Sequence, residues 1–314
     1  MREKVKLKTT NSKNAKTGNN NDVGIISQKL PFKRRFHGYI MKGFIFFCVA
    51  FAVSLILFLI GYIFYRGLPH VTFSMLTSTP SLLRGTVGIL PNLLYTVYII
   101  FTTLIISLPI GIGAAVYLNE YATNRRLVRI IEFTIETLAG IPSIIYGLVG
   151  FLIFVRMMGG ATILSGSMTL SILVLPTVVR TTQEALKTVP ISYREGSVAL
   201  GATKWYSIRT IILPSSLDGI VSGVILAIGR MVAESAALLF TAGAGHALIT
   251  NYFAALQTGG RPLTVALYFY ATEPGQWGDV SSTDVAFAIA AVLIIIVLVL
   301  NFLTKLLKRK LKKI

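Results

Sequence analysis

The chain has 314 residues, of which 54% are hydrophobic and 13% are charged, and its mean hydropathy is +0.72. A soluble domain carries about one quarter charged residues, so this composition excludes an ordinary soluble fold and indicates lipid as the solvent. The formal net charge of +18 does not indicate nucleic-acid binding, because the basic residues are segregated to the tails and to certain loops rather than to one folded face.

Cysteine and histidine usage argues against a metal centre. The one cysteine, Cys48, lies in an apolar run and can form no disulfide within the chain. His37, His70 and His246 are far apart and lack the spacing of metal ligands. We therefore expect this chain to bind no metal and no cofactor.

The first predicted segment, residues 1–42, is polar and basic. Its first 30 residues are rich in Lys, Asn, Thr and Ser and show no apolar period, which predicts a largely disordered cytoplasmic tail. The polar segment and the apolar run after it are both too long for a cleaved secretion signal.

Six uncharged or nearly uncharged runs follow, and each predicts a transmembrane helix. The third and fourth are short and need their flanks to cross about 30 Å of hydrocarbon. We therefore predict an all-α integral membrane protein with six transmembrane helices. The runs are residues 43–65, 92–118, 138–155, 165–179, 217–241 and 285–303.

The distribution of basic residues predicts the orientation. All but five of the 30 Lys and Arg residues fall in the two tails or in the loops after the second and fourth runs. Basic loops face the cytoplasm, so both termini, including the basic tail 305–314, are expected there, with that tail anchored on anionic lipid. Residues 66–91 and 242–284 are expected as external loops, the second ordered but irregular. The five exceptions are Arg66, Arg84, Arg156, Arg230 and Arg261.

Prolines recur in the predicted helices. Pro109, Pro142 and Pro176 lie inside runs, and Pro214 lies at the mouth of the fifth. Each removes a backbone donor and can bend its helix. Two interpretations stay open: ordinary kinking of membrane helices, or bent helices that shape a central cavity which opens and closes.

The most informative stretch, residues 190–214, lies between the fourth and fifth runs. Ser192 and Glu195 have capping-box spacing, which predicts the start of a short helix, and Gly201 can take the left-handed conformation that ends it. Thr203 can cap a second helix, which carries Trp205 and leads into the fifth run. Two short helices joined at a glycine would form a compact projection suited to docking on a partner.

This stretch resembles the EAA loop of the permease subunits of ABC importers. That loop has a Glu, a Gly six residues later and an Ile-Leu-Pro farther on, which correspond to Glu195, Gly201 and Ile212-Leu213-Pro214. Gly196 and Ser197 stand where the family usually has Ala-Ala. Both are small, so close docking is preserved.

Further strings resemble the phosphate-specific branch of these permeases, the PstA type, over roughly residues 92–303. They are PIGIGAAVYLNEYA at 109–122, LAGIPSIIYG at 138–147 and LPTVVRTTQEAL at 175–186. Gly229-Arg230, with Glu234 four residues after the arginine, resembles the fifth span of that branch. Ser235 and Ala237 stand where the branch often has Thr and Pro.

Arg230 and Glu234 are the full charges deep in a predicted span. An arginine at the bilayer centre costs at least about 2.5 kcal/mol, so it should face protein or a wet cavity. At about 100° per residue, Gly219, Gly223, Ala227 and these two charges share one face of a helix, and the two glycines permit close helix approach. Two interpretations stay open: Arg230 meets an anion in transit with Glu234 holding its guanidinium, or the two form a structural ion pair.

The resemblance implies a type I importer permease core (MetI-like) over residues 92–304, with five of the helices, a cytoplasmic coupling loop at 190–214 and an external loop at 242–284. It implies a second phosphate permease subunit, two cytoplasmic ATPase subunits that use the ATP, and an extracytoplasmic phosphate-binding protein. The chain has no phosphate-cradling Gly-x-x-x-x-Gly-Lys-Ser/Thr string of its own and is expected to be no enzyme. The residues implied in ATPase coupling are Glu195, Gly201, Ala202, Trp205, Leu213 and Pro214.

Alternative functions were weighed against this one. A permease for another oxyanion or for an amino acid belongs to the same class. A secondary transporter would show inverted repeats and intramembrane acids on several spans, which this sequence lacks. A scaffold without transport would leave residues 190–214, hereafter the docking loop, unexplained.

Overall fold

The computed structural model describes residues 32–81, 86–273, 275–277 and 280–311. Its described part is helical apart from one short hairpin, which confirms the predicted all-α class. Five of the described helices are long and apolar enough to cross a membrane, and a sixth span results if one bent helix pair is counted as a single crossing. The predicted tail over residues 1–31 and the last three residues lie outside the described residues.

The helices have the following bounds. In the first half of the chain they are α1 (Phe32–Gly67), α2 (Phe73–Thr77), α3 (Leu90–Val116), α4 (Arg125–Ala139), α5 (Ser143–Gly150) and α6 (Ile163–Lys187). In the second half they are α7 (Ile191–Ala199), α8 (Lys204–Ser207), α9 (Leu213–Ala233), α10 (Ala236–Thr241), α11 (Tyr252–Leu256), α12 (Leu263–Thr272) and α13 (Ser282–Leu311).

Shorter elements connect these helices. A 3-10 turn, Leu68–His70, follows α1. Wide π-type turns extend α3, α5 and α8; they are Tyr117–Tyr121, Phe151–Val155 and Ile208–Ile212. Strands β1 (Gln276–Trp277) and β2 (Val280–Ser281) pair antiparallel, with Gln276 opposite Ser281.

Two units divide the chain, Met1–Leu57 and Phe58–Ile314. The first contributes most of α1, which begins at Phe32, so residues 32–42 of the predicted tail are helical. The packing that follows belongs to the second unit.

The third predicted span is sharply bent. The axes of Arg125–Ala139 and Ser143–Val155 differ by 96°, and Gly140 and Pro142 lie in the break between them. The part beyond Pro142 is about 20 Å long, too short to cross the hydrocarbon alone. By contrast, Pro109 and Pro176 lie inside α3 and α6, which continue past them.

Helix α6 packs against both α3 and α9, and small or hydroxyl-bearing residues line its contact with α3. Thr103, Ser107 and Ser167 are fully buried there. The Ser167 hydroxyl donates to the carbonyl of Ile163 in its own helix at 2.8 Å, which satisfies it without spreading the helices. A Cβ on Gly111 would lie 2.6 Å from Val178 Cγ1. Gly111 therefore serves close packing, in the manner common between membrane helices.

The predicted irregular loop at 242–284 contains regular elements as well. Helix α12 packs on α13 with Leu263 and Ala266 fully buried. Before it, the chain folds back on itself, and the amide of Gly260 donates to the carbonyl of Ala242 at 2.9 Å. Gly243 has φ +92°, a left-handed conformation that favours glycine. The glycines that look like breakers in the sequence thus permit close approach of two chain segments.

Candidate functional site: the docking loop and the polar cleft

The first docking helix, α7, begins two residues earlier than the capping-box interpretation requires. Pro190 is its N-cap, and no side chain caps it. Ser192 therefore lies inside the first turn, and the predicted Ser192–Glu195 capping box is wrong. Proline before the first helical residue already fixes the backbone for entry, which makes a side-chain cap unnecessary. Glu195 is exposed on α7.

The glycine turn forms as predicted. Gly201 has φ +80°, its amide donates to the carbonyl of Val198, and the amide of Ala202 donates to the carbonyl of Ser197 at 3.0 Å. These two bonds define a Schellman motif, which ends a helix and satisfies its last carbonyls. The chain therefore reverses within two residues at Gly201.

The second docking helix starts as predicted but does not end. The Thr203 hydroxyl accepts from the amide of Tyr206 at 3.4 Å and caps α8. Through the π-type turn Ile208–Ile212, α8 then runs into α9, so that Lys204–Ala233 is one long helix. Pro214 lies in the first turn of α9 and causes no break, because a wide turn before it accommodates a residue without an amide donor. Leu213 is half-buried against a core cluster.

The tip of the docking loop exposes apolar side chains. Leu200 is 90% exposed and Trp205 is 60% exposed, and Ile191 and Val198 are exposed beside them. The Ser197 and Ser207 hydroxyls, 2.6 Å apart, join α7 to α8 beneath this surface. Ser197, which stands where the family usually has alanine, therefore serves to hold α7 on α8. A group of exposed apolar side chains of this kind is typical of a surface that binds a protein partner.

Arg230 and Glu234 do not form the predicted pair. Among the ion pairs of the described residues there is none between them. Helix α9 ends at Ala233, and Glu234 turns away with ψ 124°, so the i, i+4 geometry is lost. Its carboxylate instead accepts from the amide of Ala237 at 3.2 Å, and its carbonyl accepts from the Thr264 hydroxyl at 2.7 Å.

The shared face of α9 otherwise forms as predicted and packs on α6. A Cβ on Gly219 would lie 2.5 Å from Ala185 Cβ, and one on Gly223 would overlap Thr181. Ala227 is fully buried. One of the guanidinium nitrogens of Arg230 donates to the Thr177 hydroxyl at 3.4 Å. The close approach predicted from the two glycines is confirmed.

Arg230 opens into a cleft of about 630 Å³ between α6, α9 and α13. Thr177, Ser222 and Asn301 add polar groups to walls that are mostly apolar. Among the described residues that line this cleft, Arg230 alone carries a charge. Because its described hydrogen bond goes to a neutral hydroxyl, its positive charge is available to an anion in the cleft.

A second cleft, of about 450 Å³, continues along α6 and α9 toward the docking loop. Ser222 and Leu226 line both clefts. Its walls include Glu184 and Asp218, so the charge changes from positive at Arg230 to negative near the docking loop. In the part of the chain that the structure describes, no cluster of His, Cys, Asp or Glu could hold a metal ion.

Arg261 is a further partly buried cation, in the loop before α12 and outside the candidate spans. Its guanidinium carbon lies 3.9 Å from the centre of the Phe269 ring, a cation–π contact. Burial lowers the pKa of this guanidinium and raises the pKa of the nearby Tyr270 hydroxyl. The Arg261 carbonyl accepts from the Asn92 side chain at 2.7 Å, which joins this loop to α3.

Two residues of the cleft around Arg230 were not predicted from the sequence. Thr177 and Asn301 line this cleft but lie on helices that are distant from Arg230 in sequence. An internal hydroxyl at Thr177, one residue after Pro176, is a weak signal that could have pointed to it. No comparable signal marks Asn301.

These features and the similarity to known proteins identify the class to which the protein belongs. The long apolar helices, the docking loop and the lateral cleft are those of a membrane-spanning permease. Residues 107–313 match the family described as "Binding-protein-dependent transport system inner membrane component", and the chain belongs to that family. It is thus the non-catalytic inner-membrane permease component of an ABC importer, in which partner subunits hydrolyse ATP.

Relatives with curated descriptions agree with this. A probable ABC transporter permease of Bacillus subtilis, YqgI, is 37% identical over 67% of this chain and 72% of its own length. The phosphate transport system permease protein PstA of Haemophilus influenzae is 31% identical over 89% of this chain and 97% of its own length.

Two solved structures show the same fold. An inward-facing form of the MetNI methionine ABC transporter has a TM-score of 0.53 at 21% identity, over 71% of this chain and 94% of that one. A bacterial alginate ABC transporter has a TM-score of 0.60 at 15% identity, over 90% of this chain and 96% of that one. The predicted type I importer fold is therefore confirmed.

Proposed function

We propose that this permease carries inorganic phosphate into the cell. The observation that carries the proposal is the position of Arg230, which places one guanidinium in an otherwise uncharged cleft. A guanidinium presents parallel donors that match two phosphate oxygens, which an ammonium cannot do. The phosphate permease from Haemophilus influenzae, similar over 89% of this chain, supports the same substrate.

The continuous helix from Lys204 to Ala233 supplies the mechanical connection. It begins in the docking loop and reaches Arg230 about 40 Å away, at 1.5 Å per residue. When the ATPases close on the docking loop, they displace the base of this helix. The displacement changes the position of Arg230 relative to Thr177 on α6, and the cleft alternates between the two sides as a rigid-body movement.

Glu234 has a different function in this proposal from the one expected. Because its carboxylate caps α10 rather than binding Arg230, it fixes the break at the end of α9. The guanidinium then remains free to bind and release an anion. Glu184 and Asp218, the two acids of the second cleft, repel the anion and weaken its binding near the docking loop.

The exposed clefts and the exposed docking loop support the following partners. A second, related phosphate permease closes the lateral clefts, and two ATPase subunits bind the docking loops of the pair. The residues proposed to couple the permease to the ATPases are Glu195, Gly201, Ala202, Trp205, Leu213 and Pro214. A phosphate-binding protein delivers substrate from outside. The basic residues of the loops and tails support a cytoplasmic position for the docking loop and both termini.

Replacement of Arg230 tests the site. Arg230→Gln should lower phosphate uptake about ten- to hundredfold, because one charged hydrogen-bonding partner contributes about 1.5–3 kcal/mol. Arg230→Lys keeps the charge but loses the two parallel donors of the guanidinium. Its phosphate uptake should therefore lie between that of the wild type and that of Arg230→Gln. The measurement is uptake of labelled phosphate by vesicles that contain the assembled complex.

Arg156→Gln is the matched control, since it removes an exposed arginine at the end of another helix. It should leave uptake unchanged. Wild-type uptake by an assembled Arg230→Gln complex would contradict the transit function of this residue.

Competition assays distinguish phosphate from other oxyanions as the transported substrate. Excess unlabelled phosphate should abolish uptake of labelled phosphate, whereas sulfate and molybdate should not. Inhibition by vanadate and dependence on the binding protein should also be seen, because ATPases drive the transport. Uptake driven by an ion gradient without ATPase subunits would contradict the mechanism.

A further inference from the structure

Arg194 of α7 makes contacts that docking on a partner does not explain. Its side chain points away from the exposed apolar tip, and it is 24% exposed. It donates to the Glu120 carboxylate at 2.9 Å, to the carbonyl of Leu186 at 2.9 Å and to the carbonyl of Val189 at 2.9 Å. Its third nitrogen also reaches Glu120, at 3.2 Å. One side chain thus satisfies acceptors on two segments, the turn that carries Glu120 and the C-terminal end of α6 with the residues just after it.

The acceptors belong to the ends of two spans. Glu120 lies in the π-type turn that extends α3, and its side chain is only 7% exposed. Leu186 lies in the last turn of α6, where carbonyls lack helical partners and attract a cation. A buried carboxylate without its cation would carry an uncompensated charge. The three groups therefore hold Arg194 in one position.

Helix α7 has little else to hold it. It is nine residues long, and Ser197 is its one buried residue. A helix of this length is not stable alone, and apolar packing usually fixes its orientation. Here the apolar residues face outward toward the partner surface, so the polar contacts of Arg194 and Ser197 take the place of a hydrophobic core.

We propose that Arg194 is a positioning residue that transmits movement of the docking helix to α3 and α6. The ATPases bind the outer face of α7, and the Arg194 contacts on its inner face carry the displacement to the ends of both spans. Since α6 holds Thr177 beside Arg230, this second route reaches the cleft from the wall opposite α9. The continuous α8–α9 helix moves one wall, and the Arg194 contacts move the other.

This inference rests on the proposed function only in that ATPases drive the permease through the docking loop. It does not depend on phosphate as the substrate. A wild-type complex that fails to transport phosphate would refute the substrate, whereas the coupling test below compares variants with whatever rate the wild type shows. The ratio of ATP hydrolysed to solute taken up can be measured with whichever solute the wild type carries.

The experiment uses the whole complex, with both permeases, the ATPases and the binding protein, in lipid vesicles. Arg194→Gln should leave ATP hydrolysis within about twofold of wild type, because the exposed docking surface is intact. Uptake should fall at least tenfold, so the ATP hydrolysed per solute rises at least tenfold. Glu120→Gln should change this ratio in the same direction, and the double variant should be no worse than Arg194→Gln alone.

Control variants keep the test decisive. Arg129→Gln removes an exposed cation from α4 that makes none of these contacts, and it should keep the wild-type ratio. If Arg194→Gln does not assemble, Arg194→Lys, which retains the charge but cannot reach all three acceptors, should still raise the ratio. A wild-type ratio of ATP hydrolysed to solute taken up in both Arg194→Lys and Glu120→Gln would overturn the proposal.

Discussion

Replacement of glycine by alanine should have opposite effects on stability at two positions in the spans, Gly219 and Gly113. Gly219→Ala would bring a methyl group to within 2.5 Å of Ala185 Cβ, which cannot rotate away. The resulting separation of α6 and α9 should lower the free energy of unfolding by about 1–3 kcal/mol. The measurement is the thermal unfolding midpoint of the permease in detergent.

Gly113→Ala serves as the control for that change. Nothing lies within 4 Å of the added methyl group, and the residue is inside α3. Alanine should therefore be neutral or raise stability by up to about 1 kcal/mol, since it restricts the unfolded chain. Equal destabilisation by both substitutions would contradict the packing described for Gly219.

At the same scale, the predictions that depend on the periodicity of one helix were correct. Those that depend on where a helix ends, or on contacts between distant segments, were wrong or could not be made. The shared face of Gly219, Gly223 and Ala227 follows from helical periodicity, and the structure confirms it. The Arg230–Glu234 pair assumed that the helix continues past Ala233, and no local signal shows that it ends there. The Arg194–Glu120 ion pair joins residues 74 positions apart, which no spacing rule could predict.

The docking loop is the element whose shape depends most on one backbone conformation. Gly201→Ala should cost about 1–2 kcal/mol, because φ +80° is unfavourable for a residue with a Cβ, although space is available. The strain should tilt α7 and weaken ATPase binding. Co-purification of the ATPase subunits with the permease measures this effect.

Gly196→Ala, in the same loop, provides the matched control. Gly196 is helical and has nothing within 4 Å, so alanine should leave ATPase binding intact and stabilise α7 slightly. Gly201→Asn should retain more binding than Gly201→Ala, because asparagine tolerates the left-handed conformation. Full ATPase recovery with Gly201→Ala would show that this turn does not set the docking geometry.

The elements themselves were predictable to different degrees. Apolar runs identified all the long helices, because a span must be apolar over its whole length. The turn at Gly201 and the cap at Thr203 were predictable from local chemistry. Bends at the prolines were predicted, but the sequence did not show that Pro142 rather than Pro109 or Pro176 would break its helix sharply, nor that α12 would be buried. Tertiary contacts decide whether a proline breaks a helix and whether a short apolar segment folds inward.

At the scale of the whole molecule, the structure connects a docking surface to a cleft by two routes. The first is the unbroken helix from Lys204 to Ala233, and the second is the set of Arg194 contacts to α3 and α6. The routes end on opposite sides of the Arg230–Thr177 contact. In the proposed mechanism, displacement at the docking loop opens or closes the cleft rather than shifting it as a block.

The most direct test is to locate the docking tip in the assembled complex. Cys48→Ser removes the one cysteine of the chain, and Leu200→Cys then places a single thiol at a side chain that is 90% exposed. That thiol should react with a membrane-impermeant reagent only from the cytoplasmic side, and a short cross-linker should join it to an ATPase subunit. Labelling from outside the cell, or cross-linking to no ATPase subunit in an active complex, would contradict the account.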